Sequence, residues 1–396
     1  MASSNHRVSN TIPDDIAFNI LSKLPVKSLK RFRCVCKLWA GLFENPHFMS
    51  MYRNNLMSKH ECENRDSSLL FNHSMPETFY KNSIFLLSGE RFDDESMMKL
   101  EWPPPLEEND RNISIMGSSI NGTLCLTTES GVILWNPTTA EFKAVPHGTI
   151  EFPADYESFV SVEAFGYDTV TNDYKIIRRA TAIGDVLASM PEFPKPIWQI
   201  YSLKSNSWRT LGEEVRIPCG NWGHCFHVYL NGICHWWGVL SDNDHEEVLV
   251  SYNLSNDEVV TTPLDLLECK GCHTFGFKHL TLLNGSIAMI TGSWSDQLFH
   301  IWVLGEVGVR ESWTKLFTFG PLDDVMFRTI GVGKKGDIYF TREGDEELFN
   351  ADMQAHALFR FDINTQEIED LGLAGKDRSC QILLHKESSL PIGGLD

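Results

Sequence analysis

Two kinds of hydrophobic pattern divide the chain. Between residues 11 and 52, apolar positions recur at steps of three and four, the spacing of helices with one buried face. Beyond residue 60 they come in short runs separated by Asn-Gly and similar pairs, the signature of strands and tight turns. Pro13-Asp14-Asp15 predicts a helix start, with proline early and carboxylates near the positive end of the dipole. Ile16, Ile20, Leu21 and Leu24 follow on one face, and Pro25 stops the run. Ser28 is the expected cap of a second helix, in which Leu29, Phe32, Cys36 and Trp39 form an amphipathic stripe. Asn45-Pro46 interrupts it, and Phe48, Met51 and Tyr52 open a further helical turn.

The β-rich part repeats. Turn pairs at Asn121-Gly122, Asn172-Asp173, Asn231-Gly232, Asn284-Gly285 and Lys335-Gly336 are spaced by 51, 59, 53 and 51 residues. Asn-Gly pairs favour two-residue hairpins because both positions accept positive φ. An apolar strand follows each turn, at 123–126, 174–177, 233–237, 286–290 and 337–340. A second strand carries Trp135, Tyr201, Tyr252, Trp302 or Phe361, and a third carries Phe142, Trp208, Val259, Trp313 or Ile368. Three or four strands every ~50 residues is what a propeller blade needs. Five units are internal. A sixth is expected to combine Leu69–Phe71 and Ile84–Leu87 with Ile382–Leu384, closing the ring and removing its edges. The predicted fold class is therefore mainly β with a small α module: N-terminal helices, then a roughly six-bladed β-propeller-like domain. A two-sheet sandwich or open β-array is the alternative. Neither the paired glycines of strict kelch repeats nor a Trp-Asp pair is present.

Charge separates the same two parts. The chain carries a net charge of −19, yet residues 1–60 hold nine Lys+Arg against three Asp+Glu, leaving +6 there and −25 on the rest. An acidic body disfavours nucleic acid. No run of eighteen apolar residues predicts a membrane span, and the polar Met1–Asn10 shows no secretory signal. Ten cysteines spread over 396 residues then read as reduced thiols.

About forty helical residues cannot bury enough surface to stand alone, and these carry apolar groups beyond one stripe. A partner that completes the patch and a cap packed on the following domain both fit. The run Ile12-Pro13-Asp14-Asp15-Ile16, Ile20-Leu21, Leu24-Pro25-Val26-Lys27-Ser28-Leu29, Arg31-Phe32-Arg33-Cys34-Val35-Cys36-Lys37 and Trp39 resembles an F-box, with Ile12 where the family usually has leucine. The resemblance implies docking on the Skp-type adaptor of a cullin-RING ubiquitin ligase through Pro13, Ile16, Ile20, Leu21, Leu24, Pro25, Val26 and Leu29. It implies that Phe32, Cys36 and Trp39 hold the helices together or border that interface. The family's adaptor is acidic, which suits the basic head. The body is similar to the F-box-associated domain of plant F-box proteins. The matching stretches include Leu134-Trp135-Asn136-Pro137-Thr138-Thr139, Gly166-Tyr167-Asp168, Asn172-Asp173-Tyr174-Lys175 and His385-Lys386-Glu387-Ser388-Ser389-Leu390. Residues 301–315 are similar to S-locus F-box proteins of pollen, whose resemblance implies a basic S-RNase as target. The expected organisation is a disordered N-terminus over 1–10, an F-box over 11–55 and a substrate-recognition domain over 61–392, in the cytoplasm or also the nucleus.

Substrate contacts are expected on long loops that one propeller rim would gather, 180–198, 241–247, 292–297 and 342–356. These hold twelve acids against two basic residues. Asp242, Asp244, Glu246, Glu247, Glu343, Asp345, Glu346 and Glu347 are the candidates, and such a rim would steer a basic protein. Cys269-Lys270-Gly271-Cys272-His273 has haem-attachment spacing but lacks the translocation that this chemistry needs. Cys219, His224, Cys225, His227, Cys234 and His235 match no closed zinc ligand set. Gly331-Val332-Gly333-Lys334-Lys335-Gly336 lacks phosphate-loop spacing and reads as a hairpin turn. No catalytic residue, metal or cofactor is expected. A glycan- or small-molecule-binding receptor would instead need an aromatic-lined central pocket, and a propeller enzyme a convergent acid–base set on the axis.

Overall fold

The computed structural model describes residues 12–74, 82–87, 90, 92, 95–104, 106, 113–150, 152, 156–183, 194–212, 215–218, 227–240, 246–264, 277–292, 298–320, 326–343, 356–375 and 380–392. Its β part is a six-bladed propeller, each blade a four-stranded antiparallel sheet. In order from the axis outward, the first blade is β4 (Ser114–Ile115), β5 (Leu124–Thr128), β6 (Gly131–Asn136) and β7 (Glu141–Ala144). The second is β8 (Glu157–Asp168), β9 (Asp173–Ile183), β10 (Ile197–Ser202) and β11 (Ser207–Thr210). The third is β12 (His227–Leu230), β13 (Ile233–Val239), β14 (Glu247–Asn253) and β15 (Val259–Pro263). The fourth is β16 (Phe277–Leu283), β17 (Ser286–Gly292), β18 (Phe299–Leu304) and β19 (Trp313–Phe319). The fifth is β20 (Met326–Val332), β21 (Ile338–Glu343), β22 (His356–Phe361) and β23 (Ile368–Gly375).

The closing blade runs β24 (Gln381–His385), β1 (Ser68–Ser74), β2 (Asn82–Leu87) and β3 (Met97–Leu100). Phe71 pairs with Ile382 and Leu69 with Leu384, so segments over 300 residues apart close the ring as expected. Gln381 locks the joint to the first blade: its side-chain amide donates to the Ile115 carbonyl and its oxygen accepts from the Ile115 N–H, both at 2.9 Å. Asn136 straps the following tail, donating to the Ser388 carbonyl at 2.9 Å and the Leu390 carbonyl at 3.1 Å.

Each inner hairpin is set by its turn. Asn121-Gly122, Asn231-Gly232 and Asn284-Gly285 all have positive φ at both residues, the geometry their sequence favours. Near Asn172 the turn is longer than its residue pair suggests: residues 169–172 connect β8 to β9, and Asp168 accepts from the Val170 N–H at 2.9 Å. Apolar layers fill the space between blades, as where Ile177 and Trp198 of the second meet Trp236 and Val250 of the third.

The helices are α1 (Asp14–Leu21), α2 (Val26–Phe32), α3 (Lys37–Ala40) and α4 (Pro46–Glu63). Pro25 stands at the cap of α2, so Ser28 lies inside that helix rather than capping it. The stripe expected through Trp39 is broken by a turn at residues 33–35, and Phe32 meets Trp39 across it with ring centroids 5.8 Å apart. Asn45 caps α4, accepting from the Phe48 N–H at 3.1 Å, with Pro46 in its first turn. This helix continues to Glu63, through the stretch between the expected F-box and body, because Phe48, Tyr52, Leu56 and His60 extend one buried stripe at steps of four.

Helices and propeller share one core. Leu21, Val26, Leu29, Phe48, Tyr52 and Met57 pack with Leu283, Ile290 and Ile301 of the fourth blade and with Ile338, Phe340 and the nearby Ile363 of the fifth. His60 fixes the register: its Nε2 donates to the Gly333 carbonyl at 3.2 Å and its Nδ1 accepts from the Asn284 N–H at 3.0 Å. Both bonds belong to inner-hairpin turns. Because strands alternate in direction, those turns lie on one rim with the β18–β19 connection, and the β5–β6 and β9–β10 connections lie on the opposite rim. The helices occupy the first rim.

Two predictions follow from this packing. At Gly331 a Cβ would overlap the Ile382 carbonyl oxygen where β20 passes β24. Gly331→Ala should lower stability by about 1–3 kcal/mol in urea denaturation, by forcing the closing blade outward. Separately, burial lowers the pKa of His60, and pushes His227, His235 and His385 down to about 4 and His279 to about 3; nearby Arg328 adds to the last shift. His227, His235, His279 and His385 stay neutral when folded but protonate near pH 6.5 when unfolded, so their contribution is complete above that pH and is lost as pH falls towards 4, and His60 shifts in the same direction. Burial raises Asp337 to about 6, which acts in the opposite sense between pH 6 and 4. Five groups against one predict a lower thermal midpoint at pH 5 than at pH 7.5, and equal midpoints would contradict the burial of these rings.

Candidate adaptor-docking surface

Helix α1 has two apolar faces. Phe18 and Leu21 point into the shared core, with Ala17 buried beside them, and the Phe18 ring meets Phe48 edge-on at 5.6 Å. Ile12, Ile16 and Ile20, spaced by four, lie on the other side and are 60%, 49% and 52% exposed. Pro13 and Pro25 are also exposed, as are Val35 at 60% and Leu38 at 43% in the segments that follow α2. Ile16 and Ile20 stand one turn apart on the helix with Ile12 just before it, and their half-exposed side chains leave an apolar ridge.

The eight residues expected at an adaptor interface therefore separate. Pro13, Ile16, Ile20 and Pro25 face solvent, whereas Leu24 is half-buried against the shared core. Leu21, Val26 and Leu29 are 3%, 3% and 0% exposed and face the propeller side. For those three the chain's own core provides the cover, and the reason is the fourth blade: a Cβ added at Gly305 would lie 3.2 Å from the Val26 side chain. No local pattern in the helices records a neighbour nearly 280 residues away.

The basic head is likewise partly spent within the chain. Lys27 and Arg31 grip Glu306 at 3.1 and 3.2 Å, and these cations, Lys27 foremost, hold its carboxyl below the usual range. Lys30 donates to the Glu311 and Trp313 carbonyls at 3.1 and 3.3 Å, and burial, with Arg33 nearby, lowers its pKa. Lys23, Arg33 and Lys37 remain on the exposed side. The basic head thus meets an acidic residue of its own body as well as solvent.

The acidic rim is not assembled among the described residues. Asp242, Asp244, Asp345, Glu346 and Glu347 lie outside them, and Glu343 is described only as backbone at the end of β21. Glu247 is paired with Lys278, whose ammonium also stands 5.4 Å from the Trp237 ring centroid; Glu246 alone is exposed. Cys219, His224, Cys225 and Cys269–His273 also lie outside, and no cluster of three metal-ligating side chains occurs among the described residues. Residues 333–337 form the turn between β20 and β21, with Gly331 and Val332 at the end of β20, so the segment is a hairpin as expected. A cavity of about 260 Å³ on the axis is lined by inner strands, with Tyr229 the one Tyr, Phe or Trp side chain among its described lining residues.

The stretches that carried the body's resemblance prove to be structural. Asp168 pairs with Lys175 at 2.7 Å, and Lys175 also donates to the Leu254 carbonyl of the third blade. Burial alone would raise the Asp168 pKa, but its bonds to Lys175, Thr171, Val170 and Ser255 hold it well below the carboxylate range. Asn136 and Ser388, from two separate matching stretches, meet at the tail strap.

Comparison with known proteins agrees with this geometry. A family model described as the F-box associated beta propeller domain matches residues 72–350, and one described as the F-box domain matches residues 10–50. The chain is 28% identical over 260 residues to a protein of Arabidopsis thaliana named as an F-box protein, At3g16210, covering 65% of this chain and 61% of that one. An F-box/kelch-repeat protein of the same plant is 25% identical over 333 residues, covering 80% and 81%. The chain thus spans less than two thirds of the first relative's length. An oligogalacturonate lyase in complex with manganese aligns over 76% of this chain and 77% of its own at 10% identity, with a TM-score of 0.40, too slight a likeness to bear on function. With well over half of its residues inside the propeller match and an F-box before it, the chain belongs to the F-box proteins that carry an F-box associated beta propeller domain.

Proposed function

We propose that this chain is the substrate receptor of a Skp–cullin–F-box ubiquitin ligase. The adaptor docks on the ridge formed by Ile12, Pro13, Ile16 and Ile20, with Pro25, Val35 and Leu38 as further exposed apolar groups, and a target protein is held by the propeller. The observation that carries this reading is the outward row of α1 isoleucines, exposed on a helix whose other face is already fully used. Shared packing between helices and propeller makes the two parts one body, so an adaptor bound on one rim holds the opposite rim at a fixed distance and orientation. Such a receptor needs no bond chemistry of its own. It raises the effective concentration of a target lysine near the ubiquitin-loaded enzyme. Among the described residues no helix is long and apolar enough to cross a membrane.

Ile16→Asp with Ile20→Asp should weaken binding of a Skp-type adaptor about 100-fold or more in calorimetry, with the chain still folded, because both side chains lie outside the shared core and about half of each already faces water. Leu29→Ala is the contrasting variant. It should cost about 2–5 kcal/mol of stability by opening the shared core, while leaving the ridge itself intact. An Ile16/Ile20 double variant that binds the adaptor as tightly as the parent sinks the proposal.

A further inference from the structure

On the rim opposite the helices, a cavity of about 770 Å³ opens between the first and second blades. Its walls are the β5–β6 turn at 128–131, the strap at 145–150 and the start of β8 at 158–162; its base includes Arg178 and Trp208. The volume falls within the usual range for ligand sites.

Arg178 is the unusual residue. It is 7% exposed, and its Nε and one terminal nitrogen both donate to Gln199 Oε1. Its guanidinium lies 3.7 Å from the Trp208 ring centroid. All these partners are neutral, and among the described residues no carboxylate pairs with it. A buried cation without a counter-charge is costly unless something supplies the charge. Burial pushes its pKa down to about 10, so it remains charged at neutral pH.

The surroundings hold this cation in place. Gln199 donates to the Thr149 carbonyl and to Thr210 Oγ1, both at 3.1 Å, and Trp208 Nε1 donates to the Pro146 carbonyl at 2.7 Å. The strap therefore hangs from the two residues that contact the guanidinium. Gly148 lets it lie so close, since a Cβ there would overlap both Arg178 and Trp208.

Beside this cation the second blade overshoots its neighbours. β8 and β9 have twelve and eleven residues, and the first four of β8 are exposed, with Val160 at 41% and Phe159 at 45%. Ile183, at 40%, is exposed at the end of β9. β8 is the innermost strand of its blade, and Val160 and Arg178 share the face of that sheet which walls the cavity. An exposed apolar residue beside a buried cation suits a segment that carries both an acidic and an apolar side chain.

We infer that this cavity is the target-reading site, and that it takes a peptide segment of the target with an Asp or Glu carboxylate on Arg178 and a neighbouring apolar side chain against Val160. The proposal rests on the receptor reading above and gives it a substrate class. It commits to an acidic segment, where charge on the long loops alone suggests a basic one.

The test uses the full chain and fluorescein-labelled octapeptide libraries. One library carries Asp or Glu at a fixed position with Leu or Phe two residues later; the other carries Asn or Gln there instead. Fluorescence anisotropy should show the acidic library binding about tenfold or more tightly. Arg178→Gln should abolish that preference, and Arg178→Lys should retain part of it. Since Arg178 is buried, Val160→Asp serves as a second variant at an exposed position; its added charge should weaken the acidic library about tenfold with the unfolding midpoint unchanged. Equal binding of the two libraries, absence of binding by either up to about 1 mM, or an acid preference that survives Arg178→Gln in folded protein would each overturn the proposal. Adaptor binding, measured on the same samples, is independent of the outcome. A cavity that reads acidic peptides in a chain that ignores the adaptor sinks the receptor reading alone, and the reverse result sinks the cavity alone.

Discussion

Antiparallel pairing of β1 with β24 is the contact on which the propeller's closure depends. Every other blade is continuous in sequence, so its four strands can find one another through short connections. The closing blade alone requires segments from opposite ends of the propeller to meet. Once Phe71 stands opposite Ile382, the inner strands form a ring, and the apolar layers between blades are covered on both sides. Gln381 and the Asn136 strap then tie the seam to the first blade through hydrogen bonds that strand pairing alone would not provide. A closed ring is what allows two opposite rims to be used at once, one for the helices and one for a ligand.

The seating of the helices follows from the same ring. The fourth and fifth blades present Ile290, Ile301, Ile338 and Phe340 towards one rim, and the helices cover them with Leu29, Phe48, Tyr52 and their neighbours. The helical module is thereby stabilised by the propeller, answering the problem that forty residues cannot supply a core of their own. It also releases one face of α1 from any structural duty. Ridge and core are two sides of one helix, with the packing of one side allowing the exposure of the other.

Much of this was legible in the residues. The turn pairs and the strands after them mark five blades, and Leu69–Phe71 and Ile382–Leu384 stand out because a strand covered on both faces is a continuous apolar run. The innermost strands were harder to read. β12 opens on His227, and β16 and β20 interrupt their apolar residues with His279 and Arg328. β4 has only two residues, too few for any periodicity. The length of α4 was written in the spacing of Phe48, Tyr52, Leu56 and His60, and reading on past Tyr52 would have recovered it. The division of the helical module could not be read locally. Leu21 and Ile20 are adjacent and equally apolar, and only the folded position of the fourth and fifth blades decides which one is covered. Arg178 is likewise a plain strand residue until Trp208 and the strap are brought over it.

The distance in sequence between the helices and the blades that cover them has a consequence for biosynthesis. Leu21, Val26 and Leu29 leave the ribosome first, but the side chains that shield them, from Leu283 to Ile363, follow more than 250 residues later. At about 5–20 residues per second, the nascent chain trails bare leucine and valine for on the order of tens of seconds. Throughout that interval both sides of α1 are sticky, so a chaperone or an early-arriving adaptor would meet a different surface from the one that the finished receptor offers.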